Sequence, residues 1–439
     1  MAPETFEQVA SALNGDKLLP NLRQLVWRAP YYGDHRSLFF LHPTLHEFII
    51  SLETSTRHTI RPFFQTVAKM SPCLHVLDLQ YSTPSTELEE GLIQLFASLP
   101  QLTKVALPAY GCTDKIMKQL STLHSLSILH SPLVGPVRAE VETMIKFLEE
   151  DTQQSINYTA HLLEFKPQID EDSFPALRDL CLSANLPGAI LPFHPQRRSF
   201  VATLHALTLD TLSDSPLILC KFMTAVGRSC IALKRFSLNL VSMNVPLIWE
   251  MLHPLISLSG LTEVTVRAKF VLDITEREYE AMAKAWPLLQ KLCLNPYPRG
   301  GVTSHYIDLH ALVPFATHCP DLVHLALYLP NIDQSELAHT GSLPAFKSLR
   351  CLSFGSSPLR TPLCAAQYLG QICPPQCQLH AIFPSRDVLS YLYITNQRGE
   401  LGDDLTKTAL GCQDAWRTLL HILPLVQQGK RITRAQLAM

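Results

Sequence analysis

The sequence predicts an α/β fold in which short strands and returning helices repeat as a curved solenoid. Two observations predict it. One phrase recurs along the chain, as FPALRDLCLSAN from Phe174, WPLLQKLCLNPY from Trp286, CPDLVHLALYLP from Cys319 and FKSLRCLSFGSS from Phe346. Each copy carries leucines or their equivalents in the spacing L-x-x-L-x-L, mostly with a Pro two residues ahead and a polar turn behind. Between the copies the apolar residues change to helical periodicity. A strand and a helix alternating about every 28 residues is the pattern of the longer leucine-rich repeats. The expected architecture is a horseshoe of about 13–14 irregular repeats, with a parallel sheet on the concave side and helices on the convex side.

Taken in order, the first strand leucine falls at Leu22, Leu45, Leu74, Leu102, Leu123, Leu177, Leu204, Leu233, Leu261, Leu289, Leu322 and Leu349. A frayed copy follows at Gln376 to Phe383. The step from Leu123 to Leu177 is double length, which places one degenerate repeat or insertion at about 135–172. A longer helix is expected there, with Val137, Val141, Met144, Ile145 and Leu148 on its apolar side. Helices are expected where Leu88, Leu92, Leu95 and Leu99 recur on one face. They are also expected where Thr275 and Glu278 stand as a capping box, and where Ser215-Pro216 and Thr361-Pro362 open a turn. Residues 1–18 are expected to form an N-terminal cap helix, 19–384 the solenoid and 385–439 a C-terminal cap. Within that cap, Asp414 to Gln427 reads as an amphipathic helix covering the last exposed core face.

Composition excludes several functions. In 439 residues the hydrophobic fraction is 47%, the charged fraction 17% and the net charge -2. Such a chain buries a large core and carries no basic arm for nucleic acid or anionic lipid. No run of apolar residues is long enough for a membrane span, and the N-terminus does not read as a secretory signal. The twelve cysteines are irregularly spaced, unlike a small disulfide scaffold, so a reduced protein of the cytoplasm and/or nucleus is expected.

No catalytic constellation emerges. Cys373, Cys377 and His380 have a metal-ligand look, but two prolines intervene and no matched second pair follows, so no metal is expected. Pro43 between His42 and His46 argues against a zinc-binding helix. Phosphate-cradling and nucleophile-elbow motifs are absent from the sequence. The expectation is a protein that is not an enzyme and takes no cofactor.

The candidate binding residues come from strand alternation. With repeat positions four and six in the core, positions three, five and seven face the concave side. Position three gives Lys104, Asp179, Arg235, Glu263, Lys291 and His324, with charges that alternate in sign from Asp179 to Lys291. Position five is small or neutral in most repeats, as at Cys181. Position seven supplies Asp210, Arg267 and Tyr328. In the repeat counted from Leu123, positions three and five fall on Ser125 and Ser127. Mixed signs point to a protein or peptide ligand rather than a polyanion.

Irregular repeats of this length, with Cys-Pro or Phe-Pro before the strand, resemble the leucine-rich-repeat region of fungal F-box proteins, with ribonuclease-inhibitor-like repeats. The resemblance runs from about Leu18 to Phe383. It implies a substrate receptor of a cullin-based (SCF-type) ubiquitin ligase, in which an F-box binds the Skp-type adaptor and the repeats hold the substrate. An F-box itself is not evident here, because the first repeat begins at Leu22. Adaptor and cullin are therefore partners only if an F-box exists outside this chain. The alternative is a free-standing repeat scaffold or inhibitor-like binding protein with no connection to ubiquitin.

Overall fold

Eleven of the repeat phrases open on the same turn, and that turn sets the strands. In Leu19-Pro20-Asn21-Leu22, Ser71-Pro72-Cys73-Leu74, Phe174-Pro175-Ala176-Leu177 and Cys319-Pro320-Asp321-Leu322, the N–H of the leucine donates to the carbonyl three residues earlier, at 3.1–3.4 Å. Proline's fixed φ suits the second position of such a turn, and its missing N–H is not needed there. The leucine then points inward, and the next residues run as strand.

The computed structural model describes residues 19–28, 34–52, 60–81, 86–108, 111–132, 165–167, 169–170, 172–193, 200–211, 215–240, 245–298, 305–332, 343–380, 412 and 414–428. The described residues fall into two compact units, one up to Asp210 and one from Thr211 onward.

In the first unit seven strands pair in chain order, every pair parallel. They are β1 (Gln24–Trp27), β2 (Glu47–Leu52), β3 (Val76–Tyr81), β4 (Lys104–Ala106), β5 (Ile128–Ser131), β6 (Asp179–Ser183) and β7 (Ala206–Thr211). Helices α1 (Ile60–Met70), α2 (Thr86–Ser98) and α3 (Asp114–Leu120) return the chain between strands, and α4 (Leu186–Ile190) follows β6. Leu88, Leu92, Leu95 and Leu99 are all buried, as their spacing requires. Thr113 caps α3 by accepting from Ile116 N–H at 3.3 Å and ties it to α2 by donating to Glu89 Oε1 at 2.5 Å.

In the second unit the main ladder runs β8 (Arg235–Leu240), β10 (Glu263–Ala268), β12 (Lys291–Leu294), β13 (His324–Leu327), β14 (Cys351–Ser353) and β15 (Gln378–His380), again parallel throughout. A short parallel pair, β9 (Leu247–Ile248) with β11 (Leu272–Asp273), lies apart from it. The helices are α5 (Pro216–Ser229), α6 (Trp249–Leu252), α7 (Glu276–Ala285), α8 (Val313–His318) and α9 (Pro362–Ile372). At the start of α7 the Thr275 N–H donates to Glu278 Oε2 at 2.6 Å. Pro216 and Pro362 occupy the first helical positions of α5 and α9. Each unit is a stack of leucine-rich repeats.

Neighbouring repeats share one core. Phe236, Leu238, Val264, Val266, Leu292 and Leu294 are buried at positions four and six, and Trp286 lies between repeats with its Nε1 donating to Leu255 O at 3.2 Å. A tenth helix, α10 (414–428), packs on α9 and on the turn after β14. Trp416 is fully buried there, its ring 5.6 Å from Phe354 and its Nε1 donating to Ser357 O at 2.9 Å. A Cβ at Gly370 of α9 would meet Val426 at 2.9 Å, so glycine lets the two helices approach.

One sequence expectation is corrected. The repeat after β4 begins at Leu126, not Leu123: Lys104 pairs with Ile128, and Leu126 N–H donates to Leu123 O at 3.2 Å. Leu123 therefore occupies the slot that precedes proline elsewhere, and Ser131 takes core position six. Its hydroxyl is fully buried because it donates to Pro108 O at 2.7 Å. Positions three and five of this repeat are Ile128 and His130 rather than Ser125 and Ser127. β5 pairs directly with β6, and most of the expected degenerate repeat or insertion at 135–172 lies outside the described residues. The expected helix at 137–148, the cap at 1–18 and the segment 381–411 lie outside the described residues.

Leu180 of β6 is 1% exposed. Leu180→Ala should lower stability by about 2–5 kcal/mol by opening a cavity in the shared core. A melting temperature equal to that of the parent would contradict the core register.

Candidate functional site

The solvent face of each ladder is set by register. Strand side chains alternate, so positions three, five and seven of every repeat leave the sheet on the side away from the helices. In the second unit Arg235 pairs with Glu263, Glu263 with Lys291, Lys291 with His324 and His324 with Cys351. Four successive strands thus present positive, negative, positive and imidazole side chains in one row. Arg235 and His324 are exposed, while Glu263 and Lys291 are half-buried. Adjacent strands lie about 4.8 Å apart, so opposite charges in this row stand beside one another. Next to it runs a row of small side chains, Ser237, Thr265, Cys293 and Ala326. Arg267 stands at position seven of β10, half-buried.

In the first unit the corresponding row is Lys104, Ile128, Asp179 and Ala206. Lys104 is half-buried and is separated from Asp179 by the apolar Ile128. Asp179 Oδ1 lies 3.1 Å from His130 Nε2, joining position three of β6 to position five of β5. Cys181 sits between His130 and Thr208. Its thiol is pushed well above the usual range by burial and then by the Asp210 and Asp179 carboxylates, which outweigh the opposing hydrogen bond from the Ser131 backbone. It is not poised as a nucleophile.

Three of the expected surface residues are shielded. Cys181 is 8% exposed, Asp210 3% and Tyr328 8%. Cys181 is short and lies low between larger neighbours. Asp210, within β7, and Tyr328, just after β13, both stand at position seven. Burial, with a smaller contribution from Cys412, raises the Tyr328 hydroxyl to about 12. Asn295, also at position seven, has φ +42°, accepts from Ala268 N–H at 3.1 Å and donates to Phe270 O at 2.6 Å. At Gly355 (φ +53°), position seven of the next but one repeat, a Cβ would fall 1.7 Å from Pro296 O, so glycine is required.

Sequence reasoning missed His130 because the repeat was read three residues early. The signal was present: Leu123-His124-Ser125-Leu126 matches Leu99-Pro100-Gln101-Leu102 with histidine in place of proline. Among the described residues no group of three or more His, Cys, Asp or Glu is placed to hold a metal ion. No described helix is long and apolar enough to cross a membrane.

Neither a protein-family model nor the sequence of a curated protein matches the chain. Among solved structures, it is similar to a chain in the crystal structure of the Rad7 and Elc1 complex from yeast, at 16% identity and a TM-score of 0.38, over 87% of this chain and 89% of that one. It is also similar to the leucine-rich repeat-containing protein LegL7 from Legionella pneumophila, at 16% identity and a TM-score of 0.31, over 61% of this chain and 88% of that one. A Bacteroides fragilis protein is similar at 11% identity and a TM-score of 0.30, over 62% and 73%.

One hydroxyl near this face has an unusual environment. Ser183 Oγ, at position seven of β6, is buried and has no hydrogen-bond partner among the described residues. An unsatisfied buried hydroxyl costs about 1–3 kcal/mol, so Ser183→Ala should leave the melting temperature unchanged or raise it. A clear drop in thermal denaturation would mean that the hydroxyl is bonded after all.

Proposed function

We propose that the chain is a non-catalytic recognition protein that holds a protein or peptide partner against the solvent face of the strands. The observation that carries this reading is the register row Arg235, Glu263, Lys291 and His324, with its strip of small side chains alongside. Small residues let a partner approach the sheet, and the flanking charges give it a direction. Alternating signs suit a polypeptide that carries both charges and disfavour a polyanion, whose affinity depends on accumulating one sign. Arg267 extends the set, and within the first unit Lys104 and Asp179 stand in the corresponding row of its own ladder. Cys112, Cys230 and Cys319 are pushed by burial to about 12, which favours a structural role for these thiols over nucleophilic chemistry. With none of the twelve cysteines in a disulfide, the reading extends to a reducing compartment, the cytoplasm or the nucleus.

Charge reversal at both Arg235 and Lys291 should weaken partner capture about tenfold or more at a small cost in thermal stability, because Arg235 is exposed, Lys291 is half-buried and neither enters the core. Quantitative affinity purification with the parent and the double variant measures this. Equal recovery of every partner would mean that binding uses loops or the helical side.

The finer reading is a substrate receptor of an F-box-type ubiquitin ligase, supported by the likeness of the repeats to that group. The full-length gene product should then co-purify with a Skp-type adaptor and a cullin. A complex that retains a partner but lacks both would leave a free-standing scaffold or inhibitor-like protein as the function.

A further inference from the structure

The charged row of the second ladder has a period. In-register pairing puts Arg235, Glu263, Lys291 and His324 at one level of four neighbouring strands. The row therefore runs straight across the strands, and its later members stand about 4.8, 9.6 and 14.4 Å from Arg235. The sign changes from Arg235 to Glu263 and again from Glu263 to Lys291. Glu263 and Lys291 are half-buried, so charges brought against them are screened less than on an open surface. Each cation of the row has Glu263 beside it, so the row selects by the phase of a partner's charges rather than by their sum.

A partner that answers this row must carry acid, base and acid at the same period. An extended chain does not. Its same-side residues recur about every 6.7 Å, so its second acid arrives at about 13 Å, well past Lys291. Tilting the chain to shorten the period carries it off the row. An α-helix rises about 1.5 Å per residue, which puts residues i+3, i+7 and i+10 of one face about 4.5, 10.5 and 15 Å from residue i. Each falls within about 1 Å of a member of the row.

The width of the face agrees. Positions three and seven of one strand are four residues apart, about 13 Å, and a helix with its side chains is about 10–12 Å across. The short side chains Ser237, Thr265, Cys293 and Ala326 lie between them, and Arg267 stands on the far side.

We propose that the partner held on this face is an α-helix of another protein, lying across β8, β10, β12 and β13. It carries acidic, basic and acidic residues at i, i+3 and i+7. One acid meets Arg235, the base meets Glu263 and the other acid meets Lys291. This deepens the recognition reading and rests on it.

The test measures fluorescence anisotropy of labelled alanine-rich peptides, about 20 residues long so that they form helix, on the full chain. One carries Glu, Lys and Glu at i, i+3 and i+7. A second carries Lys, Glu and Lys there, with the opposite face adjusted to the same net charge. A third is the first with a central proline. The first should bind about tenfold tighter than either of the others. The triple variant Arg235→Glu, Glu263→Lys and Lys291→Glu should prefer the second peptide, a gain that a misfolded chain would not show. Equal affinity for the first two peptides, or none for either, overturns the proposal, as does undiminished binding of the proline peptide. If charge reversal at Arg235 and Lys291 still removes a partner in affinity purification, the face binds polypeptide in another form and the recognition reading stands. Recovery of every partner would overturn both.

Discussion

The interaction on which each stack depends is a backbone hydrogen bond accepted twice by one oxygen. At the second position of each repeat, the carbonyl takes the N–H groups of positions two and three of the next repeat. Arg23 O accepts from His46 and Glu47, His75 O from Thr103 and Lys104, Lys234 O from Thr262 and Glu263, and Gln290 O from Val323 and His324, all at 2.7–3.0 Å. Thr103 and Ser127 add their hydroxyls to the same acceptors at 3.1 and 3.0 Å. A single net hydrogen bond stabilises by only about 1 kcal/mol, so the sum of such bonds is not what holds the fold. Their importance is positional. They lock the start of each strand to its predecessor, and from that point alternation decides which side chains enter the core. A slip of one residue would turn every leucine outward.

The leucines supply the energy that this register directs. Burying one stabilises by about 1.5–3 kcal/mol, and each repeat from Leu45 to Leu349 buries its first, fourth and sixth positions together. Leu289, Leu292 and Leu294 show the pattern, each at most 2% exposed. The residue before proline adds a second layer. Ser71 donates to His42 O at 3.1 Å, and the Cys319 thiol reaches Trp286 O at 3.5 Å, so these slots link one repeat to the next whether or not they are apolar. A polar residue is tolerated there because its partner is the backbone of the preceding repeat, which is always present.

This explains what was legible in the sequence. A leucine two residues after the proline of an X-Pro pair announces turn and strand at once, and wherever that proline is present the register follows directly. The stretch LHSLSILHS lacks the proline and satisfies the pattern from both Leu123 and Leu126. The earlier choice offers Ile128 as an apolar sixth residue, whereas the fold accepts Ser131 because Pro108 O meets its hydroxyl. That acceptor lies in another repeat and leaves no trace in the local sequence. Burial at Asp210 and Tyr328 was illegible for a related reason. Periodicity reports the side of the sheet a residue leaves from, but not how deeply it is covered there.

The same physics separates what the fold requires from what a partner reads. Arg235, Glu263, Lys291 and His324 stand on a frame whose register is fixed by backbone groups and by leucines on the opposite face. Their identity enters neither term, and exposed ion pairs contribute little to stability. The wall can therefore carry a chosen pattern of charge at small structural cost.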